Sequence, residues 1–120
     1  DLTLYERTNI VDRPSLCGTG CFDLAVCDVS FTSVVTVLPA VTELLTPQGR
    51  FLTLVKPQFE AERDEVGEGG VVRDQSVRDA AVEKVRRAFA GLGYSVAGVC
   101  ESPIHGAKGN VEYLMLGLLR

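Results

Sequence analysis

The sequence predicts an α/β fold, with a mainly parallel sheet and an antiparallel last strand. Three observations carry this. Short apolar runs alternate with segments of helical spacing, the order expected when helices connect parallel strands. The clearest helix stands between two of those runs. The final two runs are joined by a short loop without a helix, which forces the last strand antiparallel to its partner.

Taken in order, Leu2–Tyr5 reads as the end of a strand, followed by the polar Glu6-Arg7-Thr8-Asn9. Pro14, Gly18 and Gly20 mark residues 12–21 as a loop. Phe22–Cys27 is a strand, buried from Leu24 onward, and Asp28-Val29-Ser30-Phe31 closes it. From Thr32 to Leu45, residues Val34, Val35, Leu38, Val41, Leu44 and Leu45 fall at helical spacing. Its β-branched residues are poor helix formers, so tertiary packing must decide there. Pro47-Gln48-Gly49 is expected to end the segment as a turn. Arg50–Lys56 is the next strand, stopped by Pro57.

The stretch from Gln58 to Arg73 is long, polar and without period, a kind of segment that usually serves a site. Asp74 is the expected N-cap of the next helix, whose apolar face is Val77, Ala81, Val85, Ala88, Phe89 and Leu92. Gly93 is its stop. Tyr94–Val99 is a strand, Ser102–Gly109 a loop, and Val111–Leu119 the last strand.

Composition narrows the function classes. The chain has 120 residues, 46% hydrophobic and 23% charged, which fits one globular domain and argues against disorder. Charges, Gly or Pro interrupt every apolar run short of the ~20 residues of a membrane-spanning helix. The opening Asp1-Leu2-Thr3-Leu4-Tyr5-Glu6-Arg7 lacks the basic-then-apolar pattern of a secretory signal. It starts inside a strand without Met, which points to a piece of a longer protein, and a cytoplasmic location is expected. The net charge of −4 means that any grip on RNA is local or supplied by another segment.

Cys17 and Cys21 are spaced C-x3-C, but no second pair or histidine completes a zinc set. No metal is expected, and the four cysteines, with Cys27 and Cys100, read as reduced thiols. Gly18-Thr19-Gly20 precedes a strand rather than opening a helix, so it reads as a turn and not a cofactor loop. His105 has no triad partner and reads as a loop residue.

In sheets of this kind ligands bind beyond the carboxyl ends of the strands. Asp28 follows one strand and Lys56 ends the next. Glu112 starts the last strand, whose beginning lies at the same edge if it runs antiparallel. The three are expected to converge on one pocket, although any one alone is more often an ordinary solvated strand-end residue.

Several stretches resemble signatures of the TlyA (hemolysin-A-like) family, which is similar to FtsJ-type RNA 2′-O-ribose methyltransferases. They are Glu6-Arg7-Thr8-Asn9-Ile10, Cys27-Asp28-Val29-Ser30-Phe31, Leu54-Val55-Lys56-Pro57-Gln58-Phe59-Glu60, Gly67–Asp74, and the stretch from Ser102-Pro103 through Gly109-Asn110-Val111-Glu112. They span nearly the whole chain in family order. The resemblance implies a Rossmann-like methyltransferase sheet lacking its first strand and glycine-rich loop, with residues 1–120 as the later part of the domain. It implies S-adenosylmethionine as cofactor and ribosomal RNA as substrate, held through an upstream RNA-binding segment.

FtsJ-type enzymes use a Lys–Asp–Lys–Glu set. Asp28, Lys56 and Glu112 match its last three members, and the first lysine would lie upstream of Asp1. A ribose hydroxyl is a weak nucleophile, and a partly desolvated lysine can orient it or accept its proton. The resemblance gives that role to Lys56, with Asp28 and Glu112 fixing it and balancing charge. Glu6, after an early strand, is expected to bind the cofactor's ribose hydroxyls, and Asp28 its methionine part. Alone, the chain is expected to be inactive.

Missing strand material between Leu2–Tyr5 and Phe22–Cys27 would expose strand edges. The first ten or so residues are therefore expected to be displaced or to pair with another chain, giving self-association. The alternative function is a hemolysin-type cytolysin or a non-enzymatic assembly module, and a third reading is a small-molecule methyltransferase.

Overall fold

The computed structural model describes residues 20–119. Within them the chain forms strand β1 (Phe22–Cys27), helix α1 (Val34–Leu44), strand β2 (Leu45–Val55), the single turn α2 (Pro57–Glu60), helix α3 (Gln75–Gly91), strand β3 (Tyr94–Glu101) and strand β4 (Tyr113–Leu119). The sheet order is β1-β2-β4-β3. β1 and β2 are parallel, and β4 runs antiparallel to both β2 and β3. β1, β2 and β3 therefore point the same way and only β4 opposes them, as the short β3–β4 connection, which holds no α-helix, requires. The expected Leu2–Tyr5 strand lies outside the described residues.

Alternation along the strands places one set of side chains under the helices. Phe51 and Val55 of β2, with Met115 of β4, are fully buried there. They pack with Val34, Val37, Leu38 and Val41 of α1 and with Val85 and Phe89 of α3. The rings of Phe51 and Phe89 meet edge-on with centroids 5.3 Å apart. Burying each such side chain stabilises by about 1.5–3 kcal/mol, and this geometry adds to that. Leu24 and Val26 point to the opposite face and are 58% and 70% exposed, so burial of β1 from Leu24 onward does not hold. Both helices pack on the other face, and among the described residues nothing covers this one near β1.

The helix ends follow local chemistry. Ser33 caps α1 by accepting the Val35 amide at 3.1 Å. Asp74 caps α3 as expected, accepting from the Ser76 amide at 2.9 Å and its hydroxyl at 2.8 Å. These two bonds hold the Asp74 carboxyl below the ordinary aspartate range. Val77, Ala81, Val85 and Phe89 form the buried stripe of α3, while Leu92 is 36% exposed and caps the helix end. Gly93, at φ +85, turns the chain out of the helix.

The boundary between α1 and β2 differs from the sequence reading. Pro47-Gln48-Gly49 does not separate the helix from the strand; β2 already begins at Leu45. The pairing jumps from Phe22↔Leu45 to Leu24↔Arg50, so the turn residues are taken up as a bulge in β2. Thr46 Oγ1 donates to Asp23 Oδ1 at 3.0 Å across it. A Cβ on Gly49 would come within 2.9 Å of the Leu45 Cβ, which shows how tightly the bulge folds back.

Candidate active site

β1 and β2 end side by side because they are parallel and paired at Cys27↔Thr53. Asp28 therefore emerges next to the end of β2. Pro57 cannot donate to a ladder, and it starts α2 directly, with Lys56 at the N-cap position. That turn brings the Lys56 amine back over β1. Its Nζ lies 2.5 Å from Asp28 Oδ1 and donates to Ser30 Oγ at 3.1 Å. The Lys56 side chain is 11% exposed and that of Asp28 62%.

The third carboxylate arrives from the opposite direction. β4 pairs Tyr113 with Val55, the last residue of β2, so the residue before Tyr113 reaches the same edge. That residue is Glu112. It precedes β4 rather than starting it: its carbonyl still accepts the Ser102 amide at 2.8 Å, but β2 has already ended on its other side. Glu112 is buried, and its Oε2 accepts from Gln58 Nε2 at 2.9 Å. Gly106 lies against it, since a Cβ there would fall 1.8 Å from Glu112 Oε2.

Asp28, Lys56 and Glu112 thus line one cavity of about 600 Å³, shared with Phe31, Gln58 and Lys108 among others. The expected convergence is present. Glu6, assigned to the cofactor ribose, lies outside the described residues. His105 is exposed on the Ser102–Gly109 loop, and Cys27 and Cys100 carry free thiols. Burial pushes the Cys27 thiol up from its ordinary value, partly offset by a hydrogen bond from Thr53.

The long polar segment reaches the cavity. Gly69 and Gly70 line the cavity, and Gly70 is tied down by Asn110, whose Nδ2 donates to its carbonyl at 2.9 Å. Asn110 Oδ1 also accepts the Val72 amide at 2.9 Å. Gln58, Gly106 and Asn110 were not singled out from the sequence. Their signal was present only as membership in the quoted stretches around Lys56 and Glu112. Phe31 is also unusual: it is 90% exposed with φ +65, a backbone region bulky residues rarely adopt, and its ring sits 5.2 Å from Phe59.

Chemically, the arrangement offers an amine held by a carboxylate, a second carboxylate shielded from water, and an aromatic wall. Such a set can position a hydroxyl and manage its proton.

Comparison with known proteins identifies the family of the chain. The family model for FtsJ-like methyltransferases matches residues 1–117. The chain is 41% identical over 114 residues to the 16S/23S rRNA (cytidine-2′-O)-methyltransferase TlyA of Mycobacterium tuberculosis, covering 95% of this chain and 42% of that protein. It is 40% identical over 89 residues to Hemolysin A of Brachyspira hyodysenteriae, covering 74% of this chain and 37% of that one. A solved hemolysin-named structure from Lactococcus lactis superposes with a TM-score of 0.80 at 42% identity, covering 84% of this chain and 48% of that chain. The chain therefore spans less than half the length of each of these three relatives.

Proposed function

Because the chain belongs to the FtsJ-like methyltransferase family, we propose that it carries the catalytic edge of an S-adenosylmethionine-dependent 2′-O-ribose methyltransferase acting on ribosomal RNA. The observation that carries this reading is the Lys56 amine held by Asp28 over the cavity that Glu112 also lines. Asp28, Lys56 and Glu112 are the proposed catalytic residues.

The cavity suits the cofactor chemically. Asp28 Oδ1 is taken by Lys56, but the carboxylate remains 62% exposed and can meet a cationic group. When bound, that cofactor supplies a methyl group on a positively charged sulfur. Lys56 would orient the ribose 2′-hydroxyl and, in its unprotonated form, would take the hydroxyl proton as the oxygen–carbon bond forms and the sulfur–carbon bond breaks. Asp28 and Ser30 fix the amine, and Glu112, held by Gln58, balances charge at the cavity wall. Fixing the hydroxyl at attack distance is the larger part of the rate, because it replaces a bimolecular search by a held geometry. The exposed Leu24 and Val26 support the further proposal that these residues form part of a larger domain. A location in the cytoplasm follows from the same reading, as does contact with RNA through another segment. Among the described residues no helix is long and apolar enough to cross a membrane.

The test is methyl transfer from labelled S-adenosylmethionine to ribosomal RNA by the full-length protein, with the modified atom located by nuclease digestion and mass spectrometry. A methyl group on a ribose 2′-oxygen is expected. A methyl group on a base, or transfer only to small molecules, would overturn the proposal.

A further inference from the structure

We propose that Glu60 is a positioning residue for the Asp28–Lys56 pair, an inference that rests on the proposed methyl-transfer function and names a residue it does not include. Residues 28–34 and 56–60 run alongside each other and touch at three successive points. Lys56 meets Asp28 and Ser30, Phe59 packs on Phe31, and Glu60 takes the start of α1. The Glu60 carboxylate accepts the Ser33 hydroxyl on Oε1 at 2.5 Å and the Val34 amide on Oε2 at 2.8 Å.

The Glu60 side chain is only 2% exposed. A carboxylate taken out of water is costly unless donors replace its hydration. Here three donors replace it: two from the N-terminus of α1, and the Lys84 ammonium 3.3 Å from Oε1. The positive end of α1 favours a negative charge at that place. Lys84 Nζ also donates to the Glu60 carbonyl at 2.8 Å, which ties this corner to α3.

The consequence for the site comes from the loop between. Asp28 and Ser30 sit on a segment anchored at one end by β1 and at the other by Glu60. Within it Phe31 is held at φ +65. Such a conformation persists only when the surroundings over-determine it. With Glu60 engaged, the loop is pinned on both sides, and the Lys56 amine finds Asp28 and Ser30 already in place. Without it, the loop is free to relax at Phe31, and both partners of Lys56 move.

A purely structural helix-end support predicts something different: lower stability but normal turnover per folded molecule. The experiment compares Glu60→Gln, Ser33→Ala and Ser33→Thr in the full-length protein, each at a temperature where it is folded. Glu60→Gln keeps the shape but turns one acceptor oxygen into an amino group, so one donor loses its partner. Its kcat is expected to fall about 10–100-fold, the scale that a misplacement near 1 Å produces, with KM for cofactor and RNA within about threefold. Ser33→Ala falls in the same direction by less, and Ser33→Thr, which keeps the hydroxyl, restores the rate. Independently of turnover, the Lys56 amine of Glu60→Gln reacts faster with a small acylating reagent, read by peptide mass spectrometry. Unchanged kcat and unchanged Lys56 acylation alongside a lower Tm would overturn the proposal. If the wild-type protein transfers no methyl group, the function reading fails instead, and the acylation comparison alone still decides whether Glu60 sets the environment of Lys56.

Discussion

Gly106→Ala is the sharpest single perturbation of the cavity. A Cβ at this position would lie 1.8 Å from Glu112 Oε2 and 2.4 Å from its Cδ. Ordinary contact needs nearly twice that, so the carboxylate must retreat by roughly 1.5 Å. Glu112 is 6% exposed, and its room to move is limited by the Gln58 amide that donates to it at 2.9 Å. The retreat therefore breaks that bond or shifts Gln58 with it. Overpacking of this kind costs about 1–3 kcal/mol of stability. The effect on turnover is expected to be larger, about 100-fold in kcat, because the displacement falls on a cavity-lining charge. Thermal unfolding and methyl transfer to ribosomal RNA by the full-length protein measure the two parts separately. If Gly106→Ala keeps kcat within about threefold, Glu112 does not need its observed place, and its catalytic assignment fails.

Lys56→Ala should abolish transfer while leaving S-adenosylmethionine affinity nearly unchanged by calorimetry; retained turnover would remove Lys56 from its role. Gly117→Ala sets a methyl group 2.7 Å from the Phe89 ring in the core and should cost about 1–3 kcal/mol in denaturant unfolding, with m unchanged. For Cys27, the raised thiol pKa means slower alkylation by iodoacetamide near pH 8 than at an ordinary thiol, with the rate climbing only at higher pH. The corresponding stability is full below the unfolded-state thiol pKa and declines as pH rises through the higher folded value, so Cys27→Ala should flatten alkaline unfolding. At Asp74 the sign is opposite. Its depressed pKa gives stability that is present above the ordinary aspartate range and lost as pH falls through the folded value. Asp74→Asn, which still caps, should therefore reduce the acid sensitivity of α3 as followed by circular dichroism.

What the sequence made legible was whatever depends on near neighbours. The Asp74 cap, the stripe Val77–Phe89 and the Gly93 stop are local, and they stand where the spacing placed them. The antiparallel last strand followed from a connection too short for a crossover. Pro47–Gly49 misled because turn residues are equally compatible with a bulge, and only the partner strand decides between them. Leu24 and Val26 misled because an apolar run says nothing about whether anything lies over it. At the cavity, Asp28, Lys56 and Glu112 were found from strand ends and family motifs. Gln58 and Gly106 were not, because their meaning is a fit to Glu112, and that fit exists only after β4 has taken its place beside β2.

That place for β4 also sets an order of events as the chain is made. A ribosome releases residues 113–119 after every other strand described, yet they occupy an interior position in the sheet. Until they emerge, β2 and β3 each hold out a row of amides and carbonyls toward a gap. The nascent chain can form α3 and pair β1 with β2 early, but the sheet closes only at the end of this stretch. Glu112, just ahead of β4, arrives with it. The half-built sheet is consequently at its most adhesive immediately before completion, when a neighbouring nascent chain could donate the same strand in its stead.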